Sequence, residues 1–144
     1  MKKTIVLFFA SALLFASCGN DNNVGADSVN AAHIDPANPP EMTFETPVYN
    51  FGTISQGQDV KYKFKFTNTG KSDLVIHSAK GSCGCTVPKS YPTHPIKPGD
   101  SGEIDVRFAS EGRMGEVEVK VTVLANTKNP KNFIKIVGNV VAPE

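Results

Sequence analysis

The chain has no tryptophan, and only three cysteines and three histidines among its 144 residues. Each shortage excludes something. Without tryptophan, and without two widely spaced cysteines, it cannot build the pin of an antibody-type domain, where an indole packs on an inter-sheet disulfide. The one long apolar stretch, Thr4 to Ala16, covers 13 residues, whereas a membrane-crossing helix needs about 20. Basic and acidic side chains nearly balance, 15 against 14, which leaves no electrostatic footprint for nucleic acid. His33, His77 and His94 are scattered, and no Ser, His and Asp set or carboxylate pair stands in a recognisable catalytic arrangement. Gly70-Lys71-Ser72 is not a phosphate loop, because that motif requires a glycine five positions earlier, where Lys65 stands. No catalytic residue is assigned, and the expectation is a protein that is not an enzyme.

The start does carry a signal: MKKTIVLFFASALLFASCGN places two lysines before the apolar stretch and small residues before Cys18. That is the layout of a secretory leader over 1–17. Leu14-Phe15-Ala16-Ser17-Cys18 resembles a bacterial lipobox, in which the cysteine thiol receives a diacylglyceryl group and the chain is cut just before it. Acyl chains bury about 0.8 kcal/mol per methylene, so two or more hold a protein on a bilayer almost permanently. The alternative is ordinary cleavage, with Cys18 left as a spare thiol. Lipidation accounts for the odd cysteine of an exported chain and leaves Cys83 and Cys85 as an even pair. Losing Lys2 and Lys3 with the leader leaves 13 basic and 14 acidic side chains, a formal charge of −1. The expected location is the cell envelope, in the periplasm or on the outer membrane, with the membrane itself as a partner through Cys18.

Residues 18–41 are rich in Asn, Asp, Ala and Pro and lack apolar periodicity, so they read as a flexible tether. Such a coil would hold a domain about 25–30 Å from the bilayer. His33 is a solvated bystander there. From residue 42 to the end, short alternating runs separated by Gly, Pro, Asn and Asp give the pattern of an all-β immunoglobulin-like sandwich with about seven strands; a barrel is the alternative. Val60, Tyr62, Phe64 and Phe66 alternate with Lys61, Lys63 and Lys65, so one face is core and the other wet. Ile104, Val106 and Phe108 form a second such face, Val117, Val119, Val121 and Val123 a third, and Ile134, Ile136 and Val140 a fourth. Gly138 marks a bulge or a close approach. Met42 to Asn50 reads as a first strand with a short piece near Gly52 to Ser55. Asn68-Thr69-Gly70-Lys71 reads as a turn whose Asn and Gly supply a positive backbone angle, leading into Leu74 and Ile76 by a hairpin or a corner between sheets. Lys89 to Pro98 holds three prolines between residues 92 and 98, which suits a fixed surface loop. The lysine row suits a solvated face more than an anionic glycan site, with Glu116 and Glu118 as candidates to lie opposite it.

Cys83-Gly84-Cys85 is the candidate functional feature. In an extended segment both side chains project to one side, and Gly84 lets the backbone pinch them together. A disulfide across one residue closes a small ring, stabilises little through loop entropy and suits a redox switch. Two thiolates at this spacing suit Cu(I), with His94 or another chain as a third ligand, so copper is the one cofactor in view. Zinc lacks a second ligand pair. The bland alternative is packing, with cysteine as a small hydrophobe in a tight turn.

FGTISQGQDVKYKFKFTNTGKSDLVI, SCGCTVP, IKPGDSGEIDVRF and GRMGEVEVKVTVLANT follow one another in this order. Together they resemble domain-of-unknown-function family 1573 from about Phe44 to Val141, with Ser82-Cys83-Gly84-Cys85-Thr86 as the most specific string. The resemblance implies short bacterial exported proteins with an immunoglobulin-like fold related to the ASH and major sperm protein domains, and implies no activity. The functional expectation is therefore a lipid-anchored interaction module that meets a protein partner through its loops or a sheet edge; the alternative is a Cu(I)-handling or thiol-redox protein.

Overall fold

A computed structural model describes residues 37–143 of the chain. The leader at 1–17, Cys18, His33 and most of the 18–41 tether lie outside them. The described residues form eight strands and no helix: β1 (Met42–Phe44), β2 (Val48–Ser55), β3 (Asp59–Asn68), β4 (Ile76–Gly81), β5 (Thr86–Ser90), β6 (Ser101–Ala109), β7 (Gly115–Ala125) and β8 (Lys131–Val141). One sheet has the order β1-β3-β6-β5 and the other β2-β8-β7-β4.

The two-residue alternation along β3, β6, β7 and β8 is what brings the sheets face to face. Phe64, Phe66, Ile104 and Phe108 from the first sheet and Val121, Val123, Ile134 and Ile136 from the second are fully buried. Burying each is worth about 1.5–3 kcal/mol. The lysines at 61, 63 and 65 point outward, as their alternation requires. The result is the immunoglobulin-like sandwich expected, with eight strands in place of about seven.

The extra strand is β5, which the sequence pattern does not mark; at the N-terminal side the number of strands is as expected, but the segment expected to run from Met42 to Asn50 is split. Pro47 lies between β1 and β2, and the chain changes sheets there: Glu45 N donates to Lys65 O at 3.0 Å in the first sheet, and Lys135 N donates to Pro47 O at 2.8 Å in the second. β2 then runs parallel to β8, with Tyr49 opposite Ile136 and Ile54 opposite Val140, so β2 carries one more residue than its partner. Gly52, at φ 75°, absorbs the bulge, and Asn50 Oδ1 accepts from Gly52 N at 2.8 Å. Tyr49 stacks on Tyr62 of the other sheet with ring centroids 3.7 Å apart. Gly138 is a close approach, since a Cβ there would lie 2.3 Å from the Phe51 ring.

The step from β3 to β4 is a corner between sheets, because β3 pairs with β6 and β4 with β7. Gly70 serves that corner differently from the expectation. It is not among the positive-φ glycines; instead, a Cβ on it would stand 2.4 Å from Glu41 N. The backbone of residues 38–41 is docked on this corner, with Thr69 N donating to Glu41 O and Lys71 N to Pro39 O. Residues ahead of Met42 thus pack on the sandwich. Asn68, fully buried, holds the corner: its Oδ1 accepts from Gly70 N at 3.0 Å, and its Nδ2 donates to Ser72 O at 2.8 Å and Ile96 O at 2.9 Å. Asn126 does the same past β7, accepting from Val75 N and donating to Asp73 O. A buried amide is tolerated because each of its groups has a partner.

Two further expectations need correction. Thr86–Ser90 is a strand despite Pro88, which is compatible with an edge position where a missing N–H costs little. Glu116 and Glu118 do not face the lysine row, because they belong to the other sheet. Glu118 pairs with Lys135 at 2.6 Å, and Lys63 with Glu103 at 3.0 Å and Asp105 at 3.8 Å. The hydrogen bond that Lys63 donates to Glu103 and the two carboxylate charges hold its ammonium above the usual lysine range.

Candidate functional site

The cysteine turn is the crossover from β4, at the edge of one sheet, to β5, at the edge of the other. Gly81 begins it: a Cβ there would lie 2.0 Å from Thr86 O, so only glycine lets the chain fold back this tightly. Ser82 extends the pairing with β7, its N donating to Lys120 O at 2.8 Å and its Oγ accepting from Lys120 N at 3.2 Å. Cys85 O then accepts from Ala109 N of β6 at 2.9 Å, and Cys83 O accepts from Thr86 N at 3.2 Å. Both sheets are thereby tied to one short loop.

Cys83 and Cys85 are joined by a disulfide, with Cα atoms 5.3 Å apart. Both are half-buried and pack against the margin of the core. Gly84, at the apex, is exposed, with open space where a side chain would stand. Two residues that the sequence did not point to complete the surroundings. Thr86 is buried, and its hydroxyl lies 3.8 Å from Cys83 Sγ and 3.9 Å from Cys85 Sγ. Disulfide sulfurs carry no proton, so the hydroxyl is the only donor in this trio. Arg113 comes from the turn between β6 and β7, and its Nη2 stands 3.3 Å from Cys85 Sγ. That turn is fixed from below: Arg113 N donates to Ser110 O at 3.0 Å, Gln56 Nε2 donates to Arg113 O at 3.2 Å, and the buried Ser110 hydroxyl donates to Gln58 O at 2.7 Å. Arg113 is 28 residues from Cys85, so nothing in the local pattern joins the two.

His94 is not brought to the cysteines. It is exposed on the β5–β6 connection, two residues before Ile96, which bridges Leu74 ahead of β4. The cysteines follow the other end of β4, roughly 20 Å away at strand rise. His77 is exposed, with Leu74 and Ile76 buried behind it. Among the described residues no three His, Cys, Asp or Glu side chains gather in a metal-holding set. A disulfide offers no thiolate, so the Cu(I) reading applies to the reduced chain alone.

A shallow groove of about 770 Å³ crosses the outer face of the first sheet, lined by Asp59, Lys61, Lys63, Lys89, Asp105 and Arg107 among others. Its charges largely answer one another, Arg107 binding Asp59 and Lys63 binding Asp105.

No curated protein matches the chain in sequence. Solved structures do match in shape. A protein of unknown function from Porphyromonas gingivalis W83 aligns with a TM-score of 0.63 and 19% identity, over 76% of this chain and 51% of that one. The ASH/PapD-like domain 7 of human CEP192 aligns at 0.57 with 11% identity, over 74% and 89%. The secreted serine protease VesC of Vibrio cholerae aligns at 0.57 with 12% identity, over 69% of this chain but 23% of that one. This chain thus spans about half of the first protein and under a quarter of the protease, and at these identities the likeness is one of fold. Residues 42–140 match the family described as "Protein of unknown function (DUF1573)", and the chain belongs to it.

Proposed function

We propose that this protein is a non-enzymatic, lipid-anchored interaction module of the cell envelope that binds an extended segment of a protein partner along β2. The observation that carries the reading is the contrast among sheet edges. Edge strands invite pairing, and proteins normally guard them with charge, proline or brevity. β1 has three residues, β4 carries Lys80, and β5 carries Pro88 and Lys89. β2, VYNFGTIS, is eight residues long and has neither charge nor proline. It has β8 on one side and no strand on the other among the described residues. Val48 on it is 47% exposed. An added strand would gain main-chain hydrogen bonds there, with the outward side chains setting preference.

Anchoring rests on the leader at 1–17 and on Leu14 to Cys18, with the tether reaching the domain. A disulfide is the form that cysteine pairs keep in an oxidising export compartment. The test is a photo-crosslinking residue placed at Val48 or Thr53 of the full chain in cells. A covalent adduct at these positions, absent when the crosslinker replaces Lys80 at the opposite edge, supports the reading. Equal labelling at both edges, or none at β2, overturns it. Cys18→Ser should move the chain from the detergent phase to the aqueous phase; retention in detergent overturns the anchor.

A further inference from the structure

We propose that Cys83–Cys85 is a thiol–disulfide exchange site with a built-in direction: Cys83 is the sulfur attacked, and Cys85 leaves as a thiolate held by Arg113. The inference does not rest on docking at β2. Three observations carry it. The disulfide sits at the surface behind an exposed glycine with open space around it, so an incoming thiol can reach it. The guanidinium of Arg113 lies 3.3 Å from Cys85 Sγ, while among the described residues the polar neighbour of Cys83 Sγ is the Thr86 hydroxyl, 3.8 Å away. Finally, Arg113 makes no ion pair with a carboxylate among the described residues, so its charge is available to the sulfur.

The chemistry follows from these positions. Exchange runs fastest toward the leaving thiol of lower pKa, and a neighbouring cation lowers it. The thiolate of an external dithiol attacks Cys83 Sγ. A mixed disulfide forms, the Cys83–Cys85 bond breaks, and its electron pair passes to Cys85 Sγ beside Arg113. The second thiolate of the dithiol then attacks its own sulfur in the mixed disulfide and releases Cys83 as a thiolate. The dithiol leaves as a disulfide, two electrons having passed to the chain. Run backward, the reduced pair reduces a disulfide of a partner. The Thr86 hydroxyl, within reach of both sulfurs, donates to whichever bears the charge. Because one residue separates the cysteines, opening the bond removes little loop entropy from the fold, and the crossover stays tied by Ser82 and Cys85 O.

The experiment exposes the purified oxidised full chain, without denaturant, to glutathione together with iodoacetamide, and maps the products by mass spectrometry. The expected product carries glutathione on Cys83 and the alkyl group on Cys85, about fivefold or more over the reverse. Arg113→Gln should bring this ratio near unity and slow reduction by dithiothreitol about three- to tenfold, while Arg113→Lys keeps most of the preference. High salt should lower the ratio in the unmodified chain, a readout that needs no variant. A disulfide that resists dithiothreitol in the folded chain overturns the proposal. So does a ratio near unity, or one that neither Arg113→Gln nor salt changes.

Discussion

The two edges of the sandwich are built on opposite lines. On one side, β4 and β5 are joined by the cysteine turn: the chain crosses between sheets there, hydrogen bonds tie it to β6 and β7, and lysines and a proline flank it. On the other side, β2 is held to the core by Tyr49, Phe51 and Ile54 but leaves its outer backbone uncovered. The difference is what the two proposals rest on. At the closed edge the backbone on both sides of the disulfide is tied by hydrogen bonds to β6 and β7. At the open edge, no strand among the described residues lies beyond β2.

Substitutions at the two edges test this contrast, with effects that fall in order. The largest is expected at the closed edge from Gly81→Val, where the added carbons meet the carbonyl of Thr86 and the crossover must move; overpacking against backbone should cost about 3 kcal/mol or more in chemical denaturation. An unchanged denaturation midpoint would show that the crossover is pliable. Replacing both Cys83 and Cys85 by serine should cost far less, at most about 1.5 kcal/mol, since loop entropy is small across one residue. A loss as large as that of Gly81→Val would mean that the sulfurs act chiefly as core. The smallest effect belongs to the open edge: Val48→Lys should change stability by no more than about 0.5 kcal/mol while removing the crosslinked adduct at β2. Stability lost there would mean that the side chain belongs to the domain rather than to a partner.

Much of this architecture was legible in the sequence, and the reason is geometric. β3, β6, β7 and β8 each alternate cleanly between apolar and polar residues, so the face each buries can be read directly. Alternation tells which face is buried but not which strand lies alongside. The pattern therefore places Lys63 and Asp105 outward without showing that they meet, and it leaves Glu118 free to be set against lysines that lie in the other sheet. β5 is hard to see because it is short and runs into the proline-rich loop that begins at Lys89, so no clean alternation marks it. Gly70 was read as a turn glycine because sequence cannot show the backbone of Pro39 to Glu41 pressing on it. The cysteine pair itself was plain, but Arg113 and Thr86 matter only through the fold, one from a distant turn and the other by burial.

The parallel pairing of β2 with β8 joins strands from opposite ends of the domain. β8 also supplies Ile134, Ile136 and Val140 to the interior and stands between β2 and β7. Among the described strands, the second sheet cannot close until β8 is made, since β8 joins β2 to β7. Contacts across so wide a span form late and slowly. Until β8 is in place, β2 lacks the neighbour it pairs with in the described sheet, and the two ends of the domain stay unjoined.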